Sequence, residues 1–410
     1  MFTSSARIRG AGVLAAAVAA LALPASASAL KPADVPDIGV DTGRFSLPIK
    51  CAISVPVGGV AIKVFDLNTT VDVQGVAATE LGAGQKFWLT QGSGSITFPS
   101  WLTTLGGLAT VQRADATIPT LDIGADNATP SAINVADLQP LSIRNIPIRF
   151  GQTLKVGLPL QGTFDVGPYT APDSGVVTLR FNRAVANIAL KSFFNQVLLR
   201  VRADCRPTAN NALLSIVVSK PAGLPESKIV NQPLNFPAVP SGYLIGIINA
   251  PYRCTLGGQP LDVGIAVGGT IPLAVRRNGS LLFDKSSGAL VVPPESVNAL
   301  LDRGITRLSG RVTRLNLDVA GGLPAVQNVA AAGIDIPETT LIRGQKLIVS
   351  LPVGGTLTAG PFTLAPGSNN IQVALGDAEA DFRLNGSSTI TPAACTAPDP
   401  GVILVDAPAF

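Results

Sequence analysis

The sequence of 410 residues contains no histidine. Histidine is the general base of Ser-His-Asp and Cys-His nucleophile systems and a common zinc ligand, so those active sites and His-ligated zinc are excluded within this polypeptide. The motifs G-x-S-x-G, G-x-x-x-x-G-K and a helix-opening G-x-G-x-x-G are missing as well. We predict a protein that is not an enzyme and has no catalytic residue, cofactor or metal site.

Charged and aromatic residues are also scarce, at 14% and 5% of the chain. Apart from Arg276 and Arg277 the basic residues are not clustered along the sequence, whereas affinity for nucleic acid comes from clustered lysine and arginine. We therefore expect no nucleic-acid partner. With few aromatic side chains, a sugar cleft walled by stacking rings is not favoured either.

The chain has no uninterrupted apolar run of about 20 residues, the length that spans a bilayer. The run from Ala11 to Leu23 is closed by Pro24, follows Arg7 and Arg9, and leads into small residues. This is the layout of a secretory signal peptide, which we place at 1–29. We expect a secreted protein, extracellular or cell-wall associated, without a transmembrane segment in the mature chain.

One phrase of twenty residues occurs twice. GQTLKVGLPLQGTFDVGPYT begins at Gly151 and GQKLIVSLPVGGTLTAGPFT at Gly344, and the two agree at 11 of 20 positions. The shared residues are turn formers and apolar residues, and the charged residues are not shared. The pattern indicates a strand and turn that are built twice, not a functional site that is present twice.

Other matches in the same order, such as IKC before YRC and TIPTLDI before VTRLNLDV, extend the duplication. We predict repeat one at 45–207 and repeat two at 249–397, joined by a Pro-rich linker at 208–248 and followed by a tail at 398–410. The last of these matches pairs Asp122 with Asp318, which favours a structural role for both.

Four cysteines in an exported chain indicate two disulfides, and the spacings lack the C-x-x-C pairs of structural zinc sites. Four cysteines allow three pairings. The repeats favour Cys51 with Cys205 and Cys254 with Cys395, which would close each repeat on itself. Pairing of Cys205 with Cys254, which would join the repeats, is the alternative.

The secondary structure is predicted to be mainly β. Val177, Leu179 and Phe181 alternate with polar residues, as in a half-buried strand, and Gly and Pro turns follow at short intervals. We predict two tandem β-sandwich repeats of immunoglobulin-like type, each with two sub-sheets and one short helix. The helix should span 293–304 in repeat two and a shorter stretch, 100–105, in repeat one.

Two groups of acids are candidates for carboxylate chemistry: Asp115, Asp122 and Asp126, and Asp377, Glu379 and Asp381. We favour solvated acids for both groups, with Gly376 ending or bulging its strand so that the second group faces solvent. A calcium loop from Asp115 to Asp126 is a weaker alternative, because its spacing is not D-x-D-x-D-G.

The aromatic side chains that could form a stacking platform are Trp88, Trp101, Tyr169, Tyr243 and Tyr252. Tyr169 lies in the duplicated phrase and matches Phe362, so we expect it to pack in the core or at a turn. Trp101 beside Pro99 is also expected in the core.

The order CTLGGQPLDVGI and then VVPPESVNALLDRGITRLSG, from Cys254 to Gly310, resembles a family of uncharacterised exported actinobacterial envelope proteins. The resemblance implies an envelope-associated β protein. It has no assigned activity to transfer, and it covers scaffold residues only.

Together these features predict a secreted, non-enzymatic protein of the cell envelope with a structural, adhesive or ligand-binding role. Its partner would be an envelope component, another protein or a second copy of itself. The alternatives are a carbohydrate-active hydrolase that uses paired carboxylates, and a lipid-binding protein with an apolar pocket between sub-sheets.

Overall fold

The computed structural model describes residues 30–208, 211–232, 234 and 243–410; the predicted signal peptide lies outside them. The described chain is mainly β, with a short 3-10 helix, Pro32–Asp34, and three α-helices. The helices are α1, Ser100–Leu108; α2, Val135–Leu138; and α3, Pro294–Asp302. The strands are β1, Gly39–Asp41; β2, Phe45–Val57; β3, Val60–Ala77; β4, Glu80–Gly82; β5, Lys86–Phe98; β6, Arg113–Asp126; β7, Ala132–Asn134; β8, Leu141–Pro147; β9, Leu154–Leu158; β10, Phe164–Thr170; β11, Gly175–Lys191; β12, Val197–Pro207; β13, Ala212–Lys220; β14, Tyr243–Leu256; β15, Gln259–Pro272; β16, Ser280–Val292; β17, Arg307–Ala320; β18, Gly322–Leu323; β19, Val326–Asn328; β20, Ile334–Thr340; β21, Leu347–Leu351; β22, Leu357–Leu364; β23, Asn370–Leu384; β24, Ile390–Thr396; and β25, Ile403–Pro408.

Strand pairings of residues 45–220, here called the first half, recur in residues 243–408, the second half. β2 pairs with β3 and β12, as β14 pairs with β15 and β24. β5 pairs with β9 and β10, as β16 pairs with β21 and β22. β6 pairs with β7, β8 and β11, as β17 pairs with β19, β20 and β23. Positions in the two halves can therefore be matched by hydrogen-bonding register.

All the strands belong to one large, curled sheet, because β1 pairs with β3 of the first half and with β14 of the second. The predicted linker and tail both contain strands. β13 lies within 208–248 and pairs with β11, and β25 lies within 398–410 and pairs with β23. Leu213, Ile216 and Val218 of β13 are buried in the core of the first half, which explains why this segment is not an open linker.

Each half has its own large hydrophobic core, since one buried cluster is drawn mainly from the first half and another mainly from the second. Val177, Leu179 and Phe181, predicted from their alternation, are all buried. The two disulfides are Cys51–Cys205 and Cys254–Cys395, the within-repeat pairing that the sequence favours. Each joins residues that face each other on neighbouring strands, β2 with β12 and β14 with β24.

The duplicated phrase forms a strand, a turn and a second strand in each half. In the first half β9 pairs with residues 94–98 of β5 and β10 with residues 86–92, so both strands run along one long partner. The peptide bonds before Pro159, Pro168, Pro352 and Pro361 are cis, at the same places in both copies. α1 and α3 have nine residues each, so α1 is longer than predicted, and α2 is an additional helix of the first half.

Candidate functional site

The first group of candidate acids lies along β6 and not in a calcium-type loop. The carboxylate of Asp115 is 2.5 Å from Lys191 Nζ, and that of Asp126 is 2.5 Å from Arg180 Nε. At about 3.3 Å per strand residue, Asp115 and Asp122 are about 23 Å apart along β6. The two carboxyl groups of a glycosidase lie about 5 to 9.5 Å apart. The structure does not bring these two acids together.

The second group, Asp377, Glu379 and Asp381, lies on β23 after a bulge at Gly376. The register with β17 shifts between Leu317 and Leu315, and the buried positions change from Val373 and Leu375 to Ala378 and Phe382. This confirms the predicted bulge. Glu379 Oε1 lies 2.5 Å from Arg314 Nη2, and Asp377 Oδ1 accepts a hydrogen bond from the Ala397 N–H at 3.2 Å.

The hydrogen-bonding register shows that Asp122 and Asp318 do not occupy equivalent positions, so the sequence match between them is wrong. Asp122 faces Asn134 on β7, whereas Asn316 faces Asn328 on β19. Asp122 therefore corresponds to Asn316, and Asp318 to Gly124, two residues away from the sequence match.

Asn134 on β7 and Asn328 on β19 organise the hairpins that β7 and β19 form with β6 and β17, and neither residue is singled out by the sequence analysis. Asn134 Oδ1 accepts hydrogen bonds from the N–H groups of Leu121 and Ala136, at 2.9 and 3.2 Å. In the second half, Asn328 Oδ1 accepts from the N–H groups of Leu315 and Ala330, both at 2.9 Å. An asparagine twenty-one residues after the start of β6 or β17 gave no recognisable signal, because its partners are fixed by the hairpin fold.

Next to these hairpins, a polar side chain covers a glycine of the neighbouring strand in each half, but the side chain comes from a different strand in the two halves. A methyl group on Gly124 would lie 2.3 Å from Nδ2 of Asn182, so the side chain of β11 covers the glycine of β6. In the second half a methyl group on Gly376 would lie 2.6 Å from Oδ2 of Asp318, so the side chain of β17 covers the glycine of β23. The glycine thus lies on β6 in the first half and on β23 in the second, and the polar side chain lies on the other strand of each pair.

One candidate acid, Asp377, interacts with an acid outside the two groups, Asp318. Burial raises the pKa of Asp318, and the negative charge of Asp377 raises it further. Burial also raises the pKa of Asp122, against the opposing effect of Arg183. Asp318 and Asp377 therefore lie close enough to interact electrostatically.

Two of the candidate tyrosines are core residues. Tyr169 is fully buried and its hydroxyl donates to the Ile123 carbonyl at 2.8 Å, as predicted for a packing residue. Tyr252 is buried and donates to the Gly376 carbonyl at 2.8 Å. The side chain of Tyr243 lies outside the described part of the structure.

The tryptophans differ from this pattern. Trp88 is partly buried and has Lys228 Nζ 6.0 Å from its ring centre. Trp101 is 48% exposed, so its predicted place in the core is wrong. Its ring meets that of Phe65 at 6.1 Å, edge to face, at the margin of an exposed apolar surface.

This surface, here called the apolar end, is a set of side chains that are 41–80% exposed. It comprises the β2–β3 hairpin, one side of α1, the loop after β8 and the β11–β12 hairpin. Its members are Val57, Val60, Ile62, Val64, Trp101, Leu105, Leu108, Phe150, Phe193, Phe194, Val197, Leu198 and Leu199.

Strand pairing brings these segments to the same end of the first half. β2 pairs with β12 from residue 49 to residue 54, so the β2–β3 and β11–β12 hairpins run toward their tips in the same direction. The β11–β12 tip is joined to the segment after α1, because the Gln112 N–H donates to the Lys191 carbonyl at 2.9 Å. Phe150 packs on Gly107 of α1, and a methyl group there would lie 2.4 Å from its ring.

The second half has a different surface at the matching end. The β14–β15 hairpin turns at Gly257 and Gly258, three residues after Cys254, whereas the first-half hairpin turns seven residues after Cys51. The loop between β23 and β24, residues 385–389, reads NGSST. On α3 the matches of Trp101, Leu105 and Leu108 are Glu295, Ala299 and Asp302.

Comparison of the chain with protein-family models, with curated proteins and with solved structures gives no match. The two halves of the chain can be compared with each other, because they share the same pattern of strand pairing. The first half has the apolar end, and the second half has a different surface at the matching place. Among the described residues no helix has the length and apolar character to cross a membrane.

Basic side chains surround the apolar end. Arg113, Arg149, Arg200 and Arg202 are exposed beside it, on β6, after β8 and on β12. At the base of the β2–β3 hairpin, Lys50 and Lys63 share one carboxylate, with Nζ to oxygen distances of 3.0 and 2.8 Å to Asp66. The surface is thus an apolar tip with a positively charged rim.

Proposed function

We propose that the protein is a non-enzymatic, exported envelope protein that attaches to an anionic lipid surface through the apolar end of its first half. The observation that supports this most is the contrast between the halves: thirteen exposed apolar side chains occupy two hairpin tips, a helix and a loop in one, whereas Ile342 and Ile390 are the exposed large apolar residues near the matching places in the other. Monomeric soluble proteins rarely expose large contiguous apolar patches without a binding role.

Lipid is the occupant that the chemistry favours. The tips combine aliphatic and aromatic side chains, which partition into the boundary between headgroups and acyl chains, with a basic rim that would be attracted to anionic headgroups. Each juxtamembrane Lys or Arg contributes about 1 kcal/mol near such a surface. A protein partner would not by itself explain why the charged rim carries mainly one sign.

Export is supported by the predicted signal peptide and by the two disulfides, which persist in oxidising compartments. We further propose that the halves are tandem repeats, each an immunoglobulin-like sandwich of two sub-sheets. The recurring strand pairings and the two separate cores support that division. In this arrangement the second half is the scaffold copy, and the first has acquired the lipid-binding tips.

The test is co-sedimentation of the chain from Leu30 onward with vesicles of phosphatidylglycerol and phosphatidylcholine, or of phosphatidylcholine alone. We expect binding to the anionic vesicles that weakens with salt and is lost when Val60, Ile62 and Val64 are replaced by threonine. Threonine keeps the β-branched shape, so the strand should be preserved. The matched control replaces Ile342 and Ile390, both 53% exposed in the second half, and should bind normally.

Two outcomes would contradict the proposal. One is equal vesicle binding by the threonine variant and the wild type. The other is a dimer in sedimentation velocity that the same threonine substitutions dissociate, which would make the apolar end an interface between two copies of the chain.

A second candidate function, a hydrolase with paired carboxylates, is favoured only by the interaction of Asp318 with Asp377. Its test is hydrolysis of envelope polysaccharides by the wild type and by Asp318→Asn and Asp377→Asn. Activity that both substitutions abolish, while thermal stability is retained, would support an enzyme over an attachment protein.

A further inference from the structure

The core of the second half contains a cavity of about 130 Å³ and an adjoining one of about 60 Å³. Ile265, Val312, Leu315 and Leu351 line both, so only their side chains separate the two spaces. Native cores have few voids larger than a water molecule. An engineered cavity of about 150 Å³ with an aliphatic and aromatic lining stays dry and binds benzene, so the larger space is of ligand-binding size.

Most of the lining is aliphatic and includes side chains of β17, β20 and β22. The polar residues of the lining include Asp41, Thr42, Ser215 and Ser286. Asp41 accepts a hydrogen bond from the Gly43 N–H at 3.1 Å, and burial raises the pKa of its carboxyl group. The cavity is therefore mainly apolar, with a carboxyl group from Asp41 on β1, the strand that joins the halves.

The duplicated phrase explains two of the smaller side chains in the lining. Leu357 and Ala359 of β22 line the cavity, and the matching residues of β10 are Phe164 and Val166, both buried. The same scaffold therefore accommodates larger side chains at these two positions. In the second half, smaller residues leave space where the first half has an aromatic ring and an isopropyl group.

We propose that this cavity binds the alkyl chain of a single-chain amphiphile whose polar head is not anionic. The chain would lie among Val312, Leu315 and Ile334, with the head near Asp41. A carboxylate head is disfavoured, because Asp41 and Asp406 already place two acidic groups in the lining. The site is separate from the apolar end, and its failure would leave the vesicle-binding proposal unaffected.

The test uses 1-octanol and octanoate as probes, with binding followed by isothermal titration calorimetry at pH 7. The wild type should bind octanol saturably at one site, and at least 10-fold more tightly than octanoate. Leu357→Phe combined with Ala359→Val gives the second half the residues of the first and should weaken octanol binding at least 10-fold. The matched control, Phe164→Leu combined with Val166→Ala, should keep octanol binding in the second half.

A second measurement keeps the inference testable if the filled variant folds poorly. ¹²⁹Xe chemical shifts of dissolved xenon should saturate with the wild type, and the single substitution Ala359→Val should reduce that effect. Octanol binding that is absent, that survives filling of the cavity, or that is weaker than octanoate binding would overturn the proposal. Unchanged xenon shifts in the single variant would also do so.

Discussion

Removal of the two phenylalanines at the tip of the β11–β12 hairpin is the most direct test of lipid attachment. Phe193 and Phe194 are 63% and 80% exposed, and their ring centres lie 5.5 Å apart. Complete burial of a phenylalanine contributes about 1.5–3 kcal/mol. Scaled by these exposed fractions, the two rings would contribute about 2 to 4 kcal/mol if the tip entered the bilayer fully. Phe193→Ser combined with Phe194→Ser should thus lower the vesicle partition coefficient by about 30- to 800-fold.

The assay is a titration of the purified chain with phosphatidylglycerol-containing vesicles, read by co-sedimentation at fixed ionic strength. Ile342→Ser combined with Ile390→Ser removes exposed apolar area from the second half and serves as the control. Thermal unfolding of both variants should match the wild type, because the replaced side chains are exposed. A decrease of less than about 3-fold in the phenylalanine variant, or an equal decrease in the control, would refute the reasoning.

Three further predictions concern stability. Replacement of Cys254 and Cys395 by alanine should destabilise the folded chain by up to about 5 kcal/mol in denaturant unfolding, because the bond closes a loop with a sequence separation of 141 residues; an unchanged midpoint would contradict this. Tyr252→Phe should cost about 1–2 kcal/mol, since a buried backbone carbonyl loses its donor; no loss would show that another group takes its place. Burial alone would raise the pKa of Asp72, but hydrogen bonds from Lys155 and two serines hold this pKa below its usual value. The ionised carboxylate therefore stabilises the folded chain at pH values above the unfolded pKa, and this stabilisation is lost as pH falls through the folded pKa. The stability difference between wild type and Asp72→Asn should therefore be constant above about pH 5 and shrink below about pH 4, and a difference that grew in acid would contradict the assignment.

Much of the strand content could be predicted because burial in a sheet leaves a period-two signal in the sequence. Val177, Leu179 and Phe181 show it, and the within-repeat disulfides followed from the duplicated order. The bulge at Gly376 was predictable too, because without it the acids that follow would have shared the face of Val373 and Leu375.

What the sequence could not specify is which surface another element covers. Trp101 has the local pattern of a core residue, but it is 48% exposed, with its ring edge to face with that of Phe65. The apolar β2–β3 hairpin reads like any buried hairpin, and only the tertiary structure shows that its tip extends beyond the sheet. β13 lies in the predicted linker because the Pro-rich stretch after it dominates the composition of that segment.

The first half pairs Gly124 of β6 with Asn182 of β11, and the second half pairs Asp318 of β17 with Gly376 of β23. This difference limits which strands of the two halves can be combined. Unequal crossing-over between the two duplicated segments would join strands from different copies if the break fell between β6 and β11, or between β17 and β23. One product would place two glycines opposite each other and leave a void, and the reciprocal product would crowd an asparagine against an aspartate. The two residues of each pair would therefore have to change together, since either mixed pair would disturb the packing between these strands.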